Sequence, residues 1–124
     1  MDLGVMVEGQ EGVSWDLWRG FVIAAEDFGF ESLWRSDHLF SLAGSRTQDA
    51  LDAYVAFALT AEITERVRFG PLVSPVTFRN PAVLARMSAQ LDVLSNGRFT
   101  AGVGAGWNVP EHAAFGISFP STKE

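Results

Sequence analysis

Four short apolar runs, rich in residues that favour strands, recur every thirty-odd residues along the chain. They begin near Leu3, Glu31, Val67 and Arg98. This spacing leaves room for one helix between successive strands and is typical of βαβ units, whose strands are parallel. Two α/β architectures fit the pattern: an open doubly wound sheet, or part of a (β/α)8 barrel. A complete barrel needs about 250 residues, and this chain has 124.

The segments between the apolar runs carry helix signals. A helix is predicted to begin after Ser14, a good N-cap, and to end at Gly29. A second is predicted from about residue 49 to 64, where glycine and proline are absent. The third has Asn80 as its N-cap, followed by proline, and Gly97 closes it. The stretch "PEHAAFG" is a candidate start for a fourth, so the predicted order is β-α-β-α-β-α-β with a helix after it.

Composition excludes several classes of partner. The net charge is −6 and the nine basic residues are scattered, which disfavours nucleic acid and anionic membrane surfaces. With no cysteine, disulfides and thiolate metal sites are excluded, and two distant histidines in no ligand motif predict no metal site. No apolar run reaches the length of a membrane span and no signal peptide is visible, so a cytoplasmic location is expected.

The stretch "RFTAGVGAGWN" raises the question of a nucleotide-binding loop. Glycines at 102, 104 and 106 follow an apolar run. The dinucleotide fingerprint G-x-G-x-x-G needs a third glycine at its sixth position, where the helix packs closely. That position here is Trp107. The pattern therefore does not predict a pyrophosphate loop, and the glycines need another explanation.

Polar residues follow the predicted strands at their carboxyl ends, where parallel α/β folds bind ligands. His38 is the candidate for chemistry, because an imidazole can donate or accept a proton near neutral pH; the alternative is a histidine that only caps its loop. Asp37 is a candidate for orienting that imidazole, or for a local turn hydrogen bond. Trp107 is either a wall for a flat ligand or core packing. Arg79 is expected to pair with a carboxylate rather than bind an anion.

The connection "GPLVSPVTFRNP" is unusual between a strand and a helix. Pro71 cannot donate to a sheet ladder, so a bulge is predicted at the end of the third strand. Such a bulge is a place where a cofactor ring could be supported. An irregular loop is the alternative.

Three stretches together resemble one known family. They are "SLWRSDHLF", "GPLVSPVTFRNPAVLARMSAQLDVLSNGRFTAGVGAGWN" and "EHAAFGISFP". In this order they are similar to the luciferase-like monooxygenases, which include the coenzyme F420-dependent oxidoreductases. The resemblance implies a (β/α)8 barrel that binds FMN or F420 at the carboxyl ends of its strands. It covers nearly the whole chain but only the N-terminal half of the barrel.

The resemblance also implies roles for particular residues. His38 and its neighbour Asp37 match the catalytic positions near the ring and substrate. Leu72–Val73 match a bulge that holds a non-prolyl cis peptide in similar proteins. The residues implied to bind the cofactor are His38, Leu72, Val73, Gly104, Ala105, Gly106 and Trp107. The glycines would then clear space for a flat ring. Some F420-dependent dehydrogenases have a glutamate at the position of Ala105, so this chain departs from their pattern.

The leading hypothesis is a flavin- or F420-dependent oxidoreductase or monooxygenase chain acting on a small-molecule substrate. Residues 1–124 would form one truncated luciferase-like domain of about four βα units, either a fragment or a half-barrel completed by association. A non-catalytic half-barrel that self-associates or binds a small ligand is the alternative, and an open flavodoxin-like sheet is the third.

Self-association is expected because four strands taken from a closed barrel expose two unpaired edges and an inner face. About half of a set of apolar strand residues would lie on that face. The set is Val5, Val7, Leu33, Phe69, Leu72 and Val103. A homodimer or higher oligomer is therefore predicted.

Overall fold

The strands form parallel pairs, as the spacing predicts. The computed structural model describes residues 1–121. Its main sheet has the order β1-β2-β3, with all pairs parallel. The strands are β1 (Gly4–Val7), β2 (Ser32–Arg35) and β3 (Arg68–Pro71), followed by the short parallel pair β4 (Ser74–Pro75) and β5 (Val103–Gly104). A parallel bridge between Phe69 and Phe99 connects β3 to the segment that leads into β5.

Among the described residues, helices follow β1, β2, β4 and β5. They are α1 (Trp15–Asp27), α2 (Ala53–Ile63), α3 (Pro81–Leu94) and α4 (Val109–Phe115). The predicted N-caps Ser14 and Asn80 are confirmed, since each side chain accepts a hydrogen bond from a first-turn amide. Gly29 and Gly97 adopt the left-handed backbone expected of residues that follow a helix. The predicted alternation of strands and helices is confirmed, except that a second short strand, β4, follows β3 before α3. No helix within residues 1–121 is long and apolar enough to cross a membrane.

Two elements differ from the prediction. Helix α2 begins at Ala53 rather than near residue 49, because the Asp52 carboxylate accepts hydrogen bonds from the amides of Tyr54 and Val55 and so caps the helix there. The fourth predicted strand, expected from Arg98, is regular only over β5. Its earlier part pairs with the sheet through the single bridge at Phe99.

The core lies between the main sheet and α1 to α3. Phe57 of α2, Phe69 of β3 and Phe99 form its centre, with ring centroids 5.7 to 6.0 Å apart. Trp18 and Val22 of α1 are fully buried in the same cluster. Helix α2 contacts α1, α3 and β3, which makes it the central element of the helical layer.

Two residues of the six-residue set, Leu33 and Phe69, do not lie on the inner face. Both side chains are fully buried beneath the helices, because alternation along β2 and β3 turns these positions towards the helical layer. Leu72 and Val103 are 51% and 56% exposed. Met6, which lies between Val5 and Val7 and so on the other face of β1, is 39% exposed. The two valines of β1 are half-buried. Of the six residues, two are therefore buried against the helices, two are half-buried and two are more than half exposed, in agreement with the expectation of about half.

We expect Phe57→Ala to lower the free energy of unfolding by about 3–5 kcal/mol, since it removes a buried ring and leaves a cavity. The matched control is Phe28→Ala, because Phe28 at the end of α1 is 81% exposed; its loss should stay within about 0.5–1 kcal/mol. Urea denaturation followed by circular dichroism measures both. Equal losses would contradict the core described here.

Candidate functional site

One cavity of about 330 Å³ lies at the carboxyl ends of β2, β4 and β5. Its lining residues are Ser36, His38, Leu72, Val73, Pro75, Gly104, Ala105, Gly106 and Trp107. Every residue predicted to bind a cofactor ring is among them. The imidazole of His38 and the indole of Trp107 meet edge to face, with centroids 5.9 Å apart and planes at 79°. The structure thus brings together residues from three separate segments of the sequence. Trp107 is 67% exposed, so its interpretation as core packing is wrong.

The floor of this cavity is the predicted bulge. The peptide bond between Leu72 and Val73 is cis, although neither residue is proline. On one side of the bulge the Leu72 amide donates to the Arg35 carbonyl at 2.9 Å. On the other side the Ser74 amide donates to the Gly102 carbonyl at 2.9 Å. The chain therefore changes its pairing partner from β2 to the β5 segment across residues 72–74, and the prediction of a bulge there is confirmed.

The glycines have a different role from the one inferred. A Cβ at Gly102 would lie 2.3 Å from the Pro71 carbonyl oxygen, and one at Gly104 would lie 2.6 Å from Cγ2 of Val73. The space that these two side chains would take is therefore filled by the bulge and not left free for a ring. Gly106 has φ of 80°, a left-handed conformation that favours glycine, and it directs the chain into Trp107.

His38 is held by a carboxylate from the far end of the chain. Nδ1 of His38 lies 2.8 Å from Oε2 of Glu111, and the amide of Leu39 donates to Oε1 of Glu111 at 2.6 Å. The Glu111 side chain is fully buried, whereas that of His38 is 16% exposed. A glutamate is buried in this way only when it is paired. The described hydrogen-bond partner of His38 is thus a residue of α4 and not of its own loop.

Sequence reasoning missed Glu111. Its position in the first turn of α4 is where acidic residues are common for reasons of helix electrostatics alone. The pair spans 73 positions of the chain, and no local pattern links its two members. The only sequence hint was that "PEHAAFG" starts a helix directly after the residues predicted to bind the ring.

Asp37 does not orient the imidazole. Its two carboxylate oxygens accept from Nη1 and Nη2 of Arg79 at 2.5 and 3.1 Å, and the carboxylate that contacts the imidazole is Glu111. The expectation that Arg79 pairs with a carboxylate is confirmed, and a second carboxylate, Asp52, also contacts it at 3.1 Å. Burial alone would lower the pKa of Arg79, but the hydrogen bonds and charge of Asp37 outweigh burial and raise that pKa.

A fully buried arginine, Arg35, supports the same end of the sheet. Arg35 of β2 is fully buried; Nη1 donates to the Ser36 carbonyl at 2.9 Å, and Nη2 donates to the Leu51 carbonyl. Burial lowers the pKa of this guanidinium to about 10, against the opposing effect of the Asp37 and Asp52 charges. Because Arg35 bonds to the carbonyls of both its own loop and the one before α2, it ties those two loops together.

Other concave surfaces lie beside or away from the predicted ring site. A cavity of about 310 Å³ shares Trp107 with it and is bordered by the loop at residues 40–46. The Glu11 carboxylate holds that loop through Ser41 and Leu42, and these bonds lower the pKa of Glu11. A larger groove of about 480 Å³ lies between α2 and α3 and is mostly apolar. It contains none of the predicted site residues, so its greater size does not make it the candidate site.

Comparison with known proteins decides the family. The model of the luciferase-like monooxygenases matches residues 1–123. The chain belongs to the luciferase-like monooxygenase family. The family resemblance inferred from the three sequence stretches is thereby confirmed.

Relatives in this family include both dehydrogenases and monooxygenases. The chain is 40% identical over 107 residues to an F420-dependent glucose-6-phosphate dehydrogenase of Amycolatopsis mediterranei (strain U-32), covering 84% of this chain and 31% of that protein. It is 39% identical over 101 residues to the 4-hydroxyprotoasukamycin monooxygenase of Streptomyces nodosus subsp. asukaensis, covering 80% of this chain and 26% of that protein. The chain thus spans about a third or less of the length of these family members.

The fold of this chain is similar to part of a solved enzyme structure. An F420-dependent secondary alcohol dehydrogenase, determined with an F420–acetone adduct, superposes with a TM-score of 0.80 at 26% identity. The match covers 98% of this chain and 36% of that one. The βα units described above are therefore part of a (β/α) barrel, and the open doubly wound sheet is excluded.

We expect Gly104→Ala to lower the free energy of unfolding by about 1–3 kcal/mol, because its Cβ would overlap the side chain of Val73 and displace the bulge. Gly20→Ala is the matched control, since a Cβ there meets nothing within 4 Å and the residue lies inside α1. That change should instead raise stability by about 0.5–1 kcal/mol. Urea denaturation of both variants tests the comparison. A neutral Gly104→Ala would contradict the close contact.

Proposed function

We propose that this chain provides the ring-binding site of a family oxidoreductase or monooxygenase that uses F420 or FMN. The observation that carries the proposal is that all seven residues implied by the family resemblance line one cavity with His38 and Trp107 at its rim. The relatives named above support an F420-dependent or oxygenating chemistry. When bound, such a cofactor supplies hydride transfer or oxygen activation on its reduced ring.

The residues present fit a flat, largely apolar ring. Leu72, Val73 and Pro75 offer apolar surface, and the exposed indole of Trp107 provides an aromatic face. Polar groups are few: the imidazole of His38 and the hydroxyl of Ser36 are at the cavity wall. Such a mixture of apolar walls and a few polar groups is typical of cofactor sites. His38 would hold or move a proton at the ring or at a small-molecule substrate.

The cavity fits the ring better than the rest of the cofactor. Neither lysine nor arginine is among its lining residues within the described part of the chain, and nearby Arg79 is paired with Asp37. A phosphate group would therefore find no cation at this cavity. We propose that its anchoring groups lie outside the residues seen here, as is consistent with relatives about three times as long.

We expect weak binding of FMN and F420 to the 124-residue chain, with dissociation constants of tens of micromolar or higher, because each missing contact worth about 1.4 kcal/mol costs tenfold in affinity. Fluorescence titration with each cofactor measures this and distinguishes the two. Trp107→Ala should weaken the binding about tenfold, in line with about 1–1.5 kcal/mol for an aromatic contact.

The control for this titration is Trp15→Ala, at the first position of α1 and 42% exposed. It should leave the affinity unchanged. Equal weakening by both tryptophan variants, or no binding of either cofactor, would contradict the proposed site. Sub-micromolar binding by the wild-type monomer would contradict the missing anchor.

The second candidate function is a half-barrel that acts through association. It is favoured by exposed apolar side chains at the open end and edge of the sheet: Leu72 and Val103 are each more than half exposed. Strand β5 pairs with β4 alone among the described strands, and an unpaired edge invites another strand. We propose a homodimer or higher oligomer in which a second copy covers this edge. Association and cofactor binding are compatible, because a second copy could also complete the wall.

We expect the purified chain to be larger than a monomer by light scattering at tens of micromolar. Val103→Lys should shift it towards the monomer, because a charge on the β5 edge opposes pairing. Val93→Lys, at a 77% exposed position of α3, is the control and should not. A compact wild-type monomer, or equal effects of both lysines, would refute association through this edge.

A further inference from the structure

The Glu111 carboxylate contacts two nitrogen atoms: the Leu39 amide, which can only donate a hydrogen bond, and Nδ1 of His38, which donates or accepts according to the tautomer. Its Oε1 is 2.6 Å from the backbone nitrogen of Leu39, and its Oε2 is 2.8 Å from Nδ1 of His38. We propose that Glu111 is a positioning residue that holds His38 in the Nδ1–H tautomer, so that the lone pair of Nε2 is presented at the candidate cavity. The role of Nε2 as a proton acceptor for a bound ligand rests on the proposed function. The assignment of the tautomer itself does not depend on that function.

The geometry leaves little choice of proton position. A backbone amide can only donate, and an ionised carboxylate can only accept. With Oε1 occupied by Leu39, the remaining contact at Oε2 is satisfied only if Nδ1 of His38 carries a hydrogen. The Glu111 side chain is fully buried, and a buried acceptor left without a donor is costly. The second nitrogen, Nε2, is then the acceptor of a neutral ring.

Hydrogen bonds at the start of α4 hold the backbone of Glu111 in place. Asn108 caps this helix, and its side-chain oxygen accepts from the Glu111 amide at 3.4 Å. The next residue, His112, is also buried; its Nδ1 lies 2.7 Å from the Asn108 carbonyl and its Nε2 lies 2.7 Å from Oγ1 of Thr77. The helix start is thus tied to the loop after β4, which holds Glu111 in place relative to the cavity.

This arrangement assigns a direction to proton movement at the site. A ligand group that approaches Nε2 favourably must be a donor, such as a hydroxyl or an N–H, rather than a bare carbonyl. If its proton passes to Nε2, the ring becomes an imidazolium that keeps both hydrogens, and the charge is balanced by the adjacent Glu111 carboxylate. No oxidant or further reactant is needed for that transfer, and the ligand retains the electron pair of the broken bond.

Glutamine at position 111 provides a sharp test, because an amide has one oxygen and one NH2 group. Leu39 must still donate, so the amide oxygen is expected to face Leu39 and the NH2 group to face Nδ1. Nδ1 would then have to accept, and the hydrogen of the neutral ring would move to Nε2. Glu111→Gln should therefore reverse the tautomer of His38 and change the group at the cavity from acceptor to donor.

The experiment is nitrogen-15 NMR of the imidazole rings in the 124-residue chain, above about pH 8.5, where ordinary imidazoles are neutral. The chain has only two histidines, so two sets of signals are expected, and His38→Asn identifies one of them. His112 is an internal reference, because the carbonyl at its Nδ1 can only accept and must keep Nδ1 protonated. In the wild type we expect Nδ1–H for both rings.

In Glu111→Gln we expect His38 to become predominantly Nε2–H while His112 stays Nδ1–H. The control is Glu26→Gln. The Glu26 carboxylate accepts hydrogen bonds from the backbone amides of residues 65–67, none of which belongs to the His38 or His112 contacts described above. Neither tautomer should change in this variant. A wild-type His38 in the Nε2–H form overturns the proposal, and this measurement stands even if the glutamine variant fails to fold. Nδ1–H retained in a folded Glu111→Gln would equally overturn it.

The two proposals fail in distinguishable ways. If the tautomer is as expected but neither FMN nor F420 binds, the positioning by Glu111 stands and the proposed function does not. If FMN or F420 binds while His38 is Nε2–H in the wild type, the ring site stands and the role given to Glu111 does not.

Discussion

The close approach of two backbone segments, residues 70–75 and 100–106, is the constraint on which the rest of the site depends. A Cβ at Gly70 would lie 1.9 Å from the Thr100 carbonyl oxygen, and a Cβ at Gly102 or Gly104 would collide with Pro71 or Val73. A side chain at any of these three positions would therefore push the two segments apart. The residues of the bulge, Leu72 and Val73, line the cavity together with Gly104 and the exposed indole of Trp107.

Two buried carboxylates at this end of the sheet have separate partners. Asp37 is bound to Arg79, and Glu111 is bound to His38 and the Leu39 amide. The side chains of both are almost fully buried, where an unpaired charge would be strongly destabilising. Although Asp37 and His38 are adjacent in the chain, their side chains have different partners. Asp37 pairs with Arg79, which also contacts Asp52 at the start of α2. His38 lines the cavity, and its Nδ1 contacts Glu111 of α4. The short helix α4 is in this way part of the site rather than only a continuation of the barrel.

The sequence predicted local features well and long-range partners poorly. Ser14, Asn80 and Gly97 mark helix ends through contacts within a few residues, so their signals are readable from the chain alone. Pro71 marked the bulge for the same reason. The sequence did not decide which members of the set, such as Leu33 and Phe69, face the helices, because a period of two in a strand does not say which side is covered. The partner of His38 is 73 residues away, and only the fold brings the two together.

Three arginines near the ends of the sheet are bound to carbonyls or carboxylates and so bring no free positive charge to the cavity. Arg35 is bound to carbonyls of the loops around it, and Arg79 is bound to Asp37 and Asp52. Arg98 donates to the carbonyls of Ala61, Thr64 and Val67 and so closes the opposite end of the sheet. These guanidinium groups satisfy backbone carbonyls and buried carboxylates, which makes them structural. The residues that line the cavity therefore include an imidazole, a hydroxyl, an indole and apolar side chains, but no lysine or arginine within the described part of the chain.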